Sequence, residues 1–434
     1  MADKFIIDGG QPLTGEITAA GNKNAALPIL AACLLTEEEV RLSNVPRIRD
    51  TEAQIAILEG IGVSAEWGSD HELRLQAGGV TDTSPDEDLS ARIRASFLLA
   101  GPLLARFGEA RMPPPGGDFI GRRRLDPHLD AFIDMGANIA GSRMIEITAP
   151  GGGLKPCAVF MDEPSVMGTE NALMAAALTP GPTTIQNAAS EPHVQDLARL
   201  LVKMGAKIDG IGSNVMTVHG RDKLSGAEHR ICPDHIEVGS FMALAAATGG
   251  DLCIRDAGVD DLHMIRRGFE RVGLRCEADG PDLLVPPNQE LRVQDDLGDA
   301  IPKIEDGPWP AFPADLTSIA LALATQASGT VLVFEKMFEN RLFFVDKLVA
   351  MGARITLCDP HRAIVSGPSR LHGERVESPD IRAGMAILIA ALAAEGRSEI
   401  GNIVQIDRGY ESIDERLRGL GARIDRVAAD RVAA

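Results

Sequence analysis

The sequence predicts an α/β protein of six repeated modules in two groups of three, with apolar helices buried at the centre of each group and sheets around them. Two recurring patterns carry this reading. In the first, a charged amphipathic stretch ends in Gly-Val, Gly-Ala or Gly-Leu and a short strand-like run follows, at Gly62, Gly136, Gly205, Gly273, Gly352 and Gly421. Their spacing of roughly 70 to 80 residues is too long for a solenoid unit and suits a compact supersecondary module. A glycine there lets a helix end in a left-handed cap before the chain turns back as a strand. In the second pattern each module holds a short, almost wholly apolar run, followed by a small turn and a strand-like piece.

Taken in order, the apolar runs are AALPILAACLL, ASFLLAGPLLA, ALMAAALT, SFMALAAAT, SIALALAT and GMAILIAALAA. A helix apolar on every side must be buried on every side. The pieces that follow are EEVRLSNV, GEARMPP, GPTTIQNA, GGDLCIRDA, SGTVLVFEK and GRSEIGNI. Alternation in HELRLQA and NVMTVHG suits sheets with one wet face. Amphipathic helices such as EPHVQDLARLLVKMG pack one face inward, and RITLCDPHRAIVSG reads as a hairpin. The groups divide near ICPDHIE. The strand KFIIDG precedes the first module and is expected to pair with the far half. The expected domains are therefore residues 22–232 and residues 1–21 with 233–434.

Composition narrows the function classes. A net charge of −19 over 434 residues argues against nucleic acid or an anionic membrane surface as partner, although local arginine clusters can still serve a small anion. The longest apolar helical runs, about eleven residues, fall short of the ~20 that span a bilayer. MADKFIIDGG lacks the basic and apolar stretches of a secretory leader, and six scattered cysteines lack framework spacing. A cytoplasmic protein with reduced thiols, monomeric or weakly self-associating, is expected. His229, Cys232 and His235 have zinc-like spacing with no fourth ligand cluster, so no metal is expected, and no cofactor fingerprint is present.

The densest chemistry lies in PPPGGDFIGRRRLDPH, from Pro113 to His128. Prolines and glycines forbid regular structure, so this is a shaped loop carrying Asp118 and then Arg122, Arg123 and Arg124. It is either a solvated basic turn or a set of forked donors for phosphate or carboxylate. Lys23 and Asn24 stand at the start of the first apolar helix, where Asn24 would cap the helix beside an exposed lysine or Lys23 would seat a phosphate. Arg94, Thr169, Glu170, Glu237, Asp315 and Asp380 occupy the same helix-start position in the other modules. Acids there are good caps, and converging helix starts would deliver Lys23, Arg94 and Asp315 to one site. Arg341 and Arg408, each ahead of an amphipathic helix, oppose the helix dipole and so call for an anion.

GNKNAALPIL, PGGDFIG, PSVMGTEN, NAASEP, PDHIE, AFPADL, FENR and IDRGYE, in that order along essentially the whole chain, resemble the UDP-N-acetylglucosamine enolpyruvyl transferase family. The resemblance implies two inside-out α/β barrels and transfer of the enolpyruvyl group of phosphoenolpyruvate to the sugar 3-hydroxyl, with release of phosphate, as the first committed step of peptidoglycan synthesis. It also implies the roles. Asp118 acts as general acid and Asp315 as base. Lys23, Asn24, Arg123 and Arg408 grip phosphoenolpyruvate, with Arg341 on its carboxylate. Arg94, Arg123, Arg124, Leu125, Asp126, Pro127, Ser165, Val166, Asp315 and Met337 meet the nucleotide sugar.

Three positions depart from the family pattern. Asp118 replaces the usual loop cysteine, which implies insensitivity to fosfomycin, an epoxide that alkylates that cysteine. Glu163 stands where many members have a basic residue, and Trp309 where many have histidine. Two other readings are an enolpyruvylshikimate phosphate synthase, whose substrate motifs are missing here, and a silent paralogue that binds nucleotide sugar as a regulator.

Overall fold

The computed structural model describes residues 3–118, 120–151 and 153–428. They form two compact units, one of residues 3–20, 120–122 and 233–428, the other of residues 21–118 and 123–232. We call them the Asp315 unit and the Lys23 unit.

Three apolar helices make the centre of the Asp315 unit: His235–Thr248, Thr317–Ala324 and Ile381–Ala393, packed against one another. In the last of these every residue from Ile381 to Leu392 is buried, which the run GMAILIAALAA requires. Burying each leucine or isoleucine there contributes about 1.5–3 kcal/mol, so Leu388→Ala would cost about 2–5 kcal/mol. Three four-stranded sheets surround them. Their orders are Arg375–Glu377, Arg397–Gly401, Lys4–Asp8, Arg423–Val427; Glu277–Asp279, Asp282–Val285, Leu252–Arg255, Gly15–Thr18; and Lys303–Glu305, Gly329–Phe334, Arg362–Gly367, Ile355–Asp359. Each sheet has one parallel pairing, made across the buried helix, and antiparallel pairings elsewhere. The expected hairpin is Ile355–Asp359 with Arg362–Gly367.

The Lys23 unit repeats the plan with Lys23–Ala32, Ala100–Phe107 and Val166–Ala177 at its centre. Two of its runs are composite: Arg94–Leu99 is a tighter 3-10 turn leading into Ala100–Phe107, and Cys33–Leu35 is a 3-10 turn closing the first helix. Two sheets have four strands. The third, Glu109–Met112 with Ile145–Thr148 and Asn138–Ala140, has among the described residues three strands and no parallel pairing. Thr83 lies beside its open edge, donating to Glu109 through Oγ1 and accepting from Arg111 N, without forming a strand. This irregular module is the one whose strand runs directly into the Pro113 loop.

All six module glycines have positive φ, from 89° at Gly273 to 112° at Gly205. The left-handed cap expected from sequence is therefore present in every module, and so is the predicted α/β architecture. Among the described residues no helix is long and apolar enough to cross a membrane.

Candidate active site

In the Lys23 unit the cations sit on helix starts and on the loop. Asn22, not Asn24, caps the first helix: its side-chain oxygen accepts from Asn24 N at 2.9 Å and Ala25 N at 3.1 Å. The expectation of an exposed lysine beside the cap is also corrected. Lys23 is buried, and its Nζ stands 3.0 Å from Asp50 in the first turn of Arg49–Gly60.

Arg94 is half-buried at the head of its 3-10 turn, where Nη2 donates to the carbonyls of Arg123 at 2.6 Å and Arg124 at 3.2 Å. The loop passes close enough that a Cβ on Gly117, at φ 106°, would meet the Arg94 side chain at 2.9 Å. Burial, then the neighbouring Arg123 charge, pushes the Arg94 guanidinium down to about 10. Two crowded cations in a partly dry pocket suit an anion. Arg124 is engaged with Asp162 at 2.8 Å and Asp126 at 3.4 Å. Leu125 precedes the helix Asp126–Asp134, whose first turn holds Pro127.

Behind the loop, His128 is buried and accepts through Nδ1 from Asn171 Nδ2 at 2.8 Å. Asn171 also donates to Phe97 O and accepts from Gly101 N. Burial first, then Arg94 and Arg123, drive the His128 imidazole down to about 3, so it is a neutral support. Ser165 caps Val166–Ala177 by accepting from Gly168 N at 3.2 Å, leaving a polar helix start at Ser165–Val166. Glu163 is exposed, and its carbonyl accepts from Ser165 N. Asp118 is half-buried, and Phe119, within the same motif, lies outside the described residues.

The Asp315 unit holds a connected, largely buried network. Asp315 lies in the turn Ala314–Leu316 that leads into Thr317–Ala324. Arg341 Nη2 donates to its Oδ1 at 3.0 Å, and Arg382 donates to Oδ2 from Nη2 at 2.9 Å and Nε at 3.1 Å. Both arginines are buried. Arg382 Nη1 continues to Tyr410 Oη at 3.2 Å, which pairs with Ser240 Oγ at 2.9 Å. Asp380 caps Ile381–Ala393, whereas Glu237 serves no cap: it accepts from Arg416 Nη1 and from Ala20 N. The cap on His235–Thr248 is Asp234.

Neither predicted arginine opposes a helix dipole. Arg341 precedes the helix Val345–Ala350 in a turn and points inward to Asp315. Arg408 closes the short helix Val404–Asp407 at its C-terminal end, where positive charge is favourable, and donates to Gln405 at 2.9 Å. Met337 is 38% exposed, and its N–H donates to Asp306. Trp309 packs edge-on to His235, while His229 pairs with Asp196 at 3.1 Å. The loop tip belongs to this unit: Asn340 N donates to Ile120 O at 3.0 Å and Arg122 N to Glu339 Oε2 at 3.2 Å.

Sequence reasoning singled out Asp315 and Arg341 separately but did not foresee their pairing, nor the parts played by Arg382, Glu335 and His128. Arg382 carried a usable signal, a lone arginine inside an otherwise apolar run.

The sequence matches the family model for EPSP synthase (3-phosphoshikimate 1-carboxyvinyltransferase) over residues 7–417. It is 58% identical over 424 residues to a UDP-N-acetylglucosamine 1-carboxyvinyltransferase of Bradyrhizobium diazoefficiens, covering 98% of each chain. To one of Treponema denticola it is 53% identical, covering 97% of this chain and 99% of that one. Among solved structures, the enolpyruvyl transferase NikO from Streptomyces tendae superposes with a TM-score of 0.87 at 26% identity, covering 99% of this chain and all of that one. The chain is therefore a transferase of the EPSP synthase family, grouping there with the UDP-N-acetylglucosamine 1-carboxyvinyltransferases.

Proposed function

We propose that the protein transfers the enolpyruvyl group of phosphoenolpyruvate to the 3-hydroxyl of UDP-N-acetylglucosamine, releasing phosphate, as the first committed step of peptidoglycan synthesis in the cytoplasm. Residues 22–232 and residues 1–21 with 233–434 would be its two enolpyruvyl transferase domains. The observation that carries this reading is an acceptor carboxylate, Asp315, gripped by two buried arginines in a chain 58% identical to a relative of that name.

The chemistry divides among the chain's own groups. The Asp118 carboxyl donates a proton to the methylene carbon of phosphoenolpyruvate, leaving an oxocarbenium-like centre at C2. Asp315, its orientation fixed at both oxygens, takes the proton of the sugar hydroxyl as that oxygen bonds to C2. The C2–O–phosphate bond then breaks, the methyl carbon returns a proton to Asp118, and the double bond re-forms. Lys23, Asn24, Arg123 and Arg408 hold phosphoenolpyruvate through these steps, with Arg341 on its carboxylate. The nucleotide sugar is assigned to Arg94, the Arg123–Pro127 stretch, the helix start at Ser165–Val166, Asp315 and Met337. Asp118 in place of a thiol makes the enzyme indifferent to fosfomycin, because a carboxylate is a far weaker nucleophile toward an epoxide.

Phosphate release from phosphoenolpyruvate, measured with UDP-N-acetylglucosamine, with shikimate 3-phosphate and with neither, tests the reading. Release only with the nucleotide sugar is expected. Release only with shikimate 3-phosphate, or binding of the nucleotide sugar without turnover, would replace it.

A further inference from the structure

Glu335 directly follows the strand Gly329–Phe334 and is fully buried. Its main chain is paired both ways with His361: Glu335 N donates to His361 O at 2.8 Å, and Glu335 O accepts from His361 Nδ1 at 2.7 Å. The side chain is thereby turned inward, where Oε1 accepts from Phe338 N at 3.2 Å. Among the described residues Oε2 receives no hydrogen bond and Arg341 Nε makes none, yet the two atoms stand 3.7 Å apart. An ionised glutamate would close that gap, since a buried charge-assisted N–H···O contact settles at about 2.7–2.9 Å.

The Asp306 carboxyl, also buried, lies within hydrogen-bonding reach of Glu335. Asp306 accepts from two main-chain amides, Lys336 N at Oδ1 and Met337 N at Oδ2, so both of its oxygens already receive hydrogen bonds. Two neighbouring carboxyls in a dry site do not both ionise, so the single proton belongs on Glu335. Burial above all, opposed by Arg341 and reinforced by Asp306, holds Glu335 up to about 9.

We propose that Glu335 and Asp306 form a proton-sharing carboxyl pair that positions Arg341, leaving its guanidinium committed to Asp315 and to the anion bound there. Glu335 is a positioning residue, not a catalytic one. The charged and titratable groups that face it are Asp306 from the segment after Lys303–Glu305, Arg341 across the turn, His361 from the hairpin and Lys336 beside it. Thr317 approaches from the buried helix. Beyond Arg341 stand Asp315, Asp380 and Arg382. With the proton in place, Arg341 answers one carboxylate. Once it is lost, Oε2 takes Arg341 Nε, the guanidinium is drawn from Asp315, and affinity for the substrate anion falls.

The inference rests on the proposed function only for its substrate, and the experiment separates the two. The Michaelis constant for phosphoenolpyruvate is measured from pH 6.5 to 10 for the natural enzyme, Glu335→Gln and Asp306→Asn. The natural enzyme should show a rise of about tenfold on the alkaline side, centred near Glu335's titration. Glu335→Gln, which keeps the shape of the protonated acid, should lose that rise while kcat falls no more than about threefold. Asp306→Asn, which removes the neighbouring carboxylate, should move the rise to lower pH.

A Glu335→Gln profile that follows the natural one, or a rise unmoved by Asp306→Asn, overturns the pair. An infrared difference spectrum needs no substrate: a protonated-carboxyl C=O stretch should be present at pH 7.5, absent in Glu335→Gln and lost on raising the pH. Its absence from the natural protein overturns the inference, whereas its presence in a protein that does not turn over phosphoenolpyruvate supports the pair and sinks only the proposed function.

Discussion

The two units share a plan but hold their charges differently. In the Asp315 unit the two buried arginines, Arg341 and Arg382, meet on Asp315, and the half-buried Arg416 meets Glu237. In the Lys23 unit Arg94 is held by two backbone carbonyls and crowded by Arg123, with the loop folded over it. Lys23 is the exception, buried against Asp50. The first arrangement is complete in itself, so removing a member strands a buried charge. The second sets two guanidinium groups side by side, so removing one relieves their mutual repulsion. Stability and function should therefore separate in one unit and travel together in the other.

The largest effect expected from breaking this contrast is at Asp315. Asp315→Asn should lower kcat by about 10²–10⁴-fold, because the proposed proton acceptor is gone. It also leaves Arg341 and Arg382 without their carboxylate, so thermal stability should fall in the same variant. Arg382→Ala should cost about 3–5 kcal/mol by denaturant unfolding, the range for breaking a buried pair. Lys23→Ala should behave likewise, because it strands the buried Asp50. Arg94→Ala, by contrast, should weaken the nucleotide sugar's Michaelis constant with stability unchanged or improved. Parallel losses of stability in Arg94→Ala and Arg382→Ala would erase the distinction.

A smaller effect sharpens it. Tyr410→Phe leaves Arg382 Nη1 and Ser240 short of a partner and should cost about 1–3 kcal/mol. Because Tyr410 is the single tyrosine of the chain, its ultraviolet ionisation reports directly on the network. Burial should delay that ionisation to higher pH than a free tyrosine, and an ordinary titration would show the network open.

A pH-dependent effect, absent at neutral pH, appears in both units. Burial is the main cause that lowers His128 to about 3 and His235 to about 4. Each stays neutral when folded, while the unfolded chain takes a proton below about pH 6.5. Their contribution is full above that pH and is lost as pH falls toward 4, by roughly 1.4 kcal/mol per pH unit for each histidine. His128→Gln and His235→Gln should each flatten the acid limb of the melting curve. An unchanged limb in both would assign acid lability to other groups.

Much of this was legible in the sequence because it rests on local rules. The six glycines announce caps, and the runs with no polar face announce burial. The motif AFPADL put an acid at a helix start. What escaped were consequences of packing between distant segments. Nothing in GNKN says that Lys23 will be buried on Asp50, or that Asn22 takes the cap from Asn24. Arg341 was read as a helix-start cation because the helix was expected to begin four residues earlier than Val345. Nothing in SGTVLVFEK says that the His361 hairpin will turn Glu335 inward.

The proposed reaction turns on proton exchange between Asp118 and the methylene carbon of phosphoenolpyruvate. Turnover in deuterated water, with the product's vinyl group read by mass and by proton resonance, tests it most directly. The Asp118 enzyme should place deuterium in the vinyl methylene, because a methyl carbon forms and gives back one of three hydrogens. Asp118→Asn should form product more slowly by orders of magnitude and label it no faster than it forms. Asp118→Cys should restore labelling and become open to covalent inactivation by fosfomycin, with a mass gain on the loop peptide. Product carrying only protium, or an asparagine variant that turns over and labels like the natural enzyme, would contradict the account.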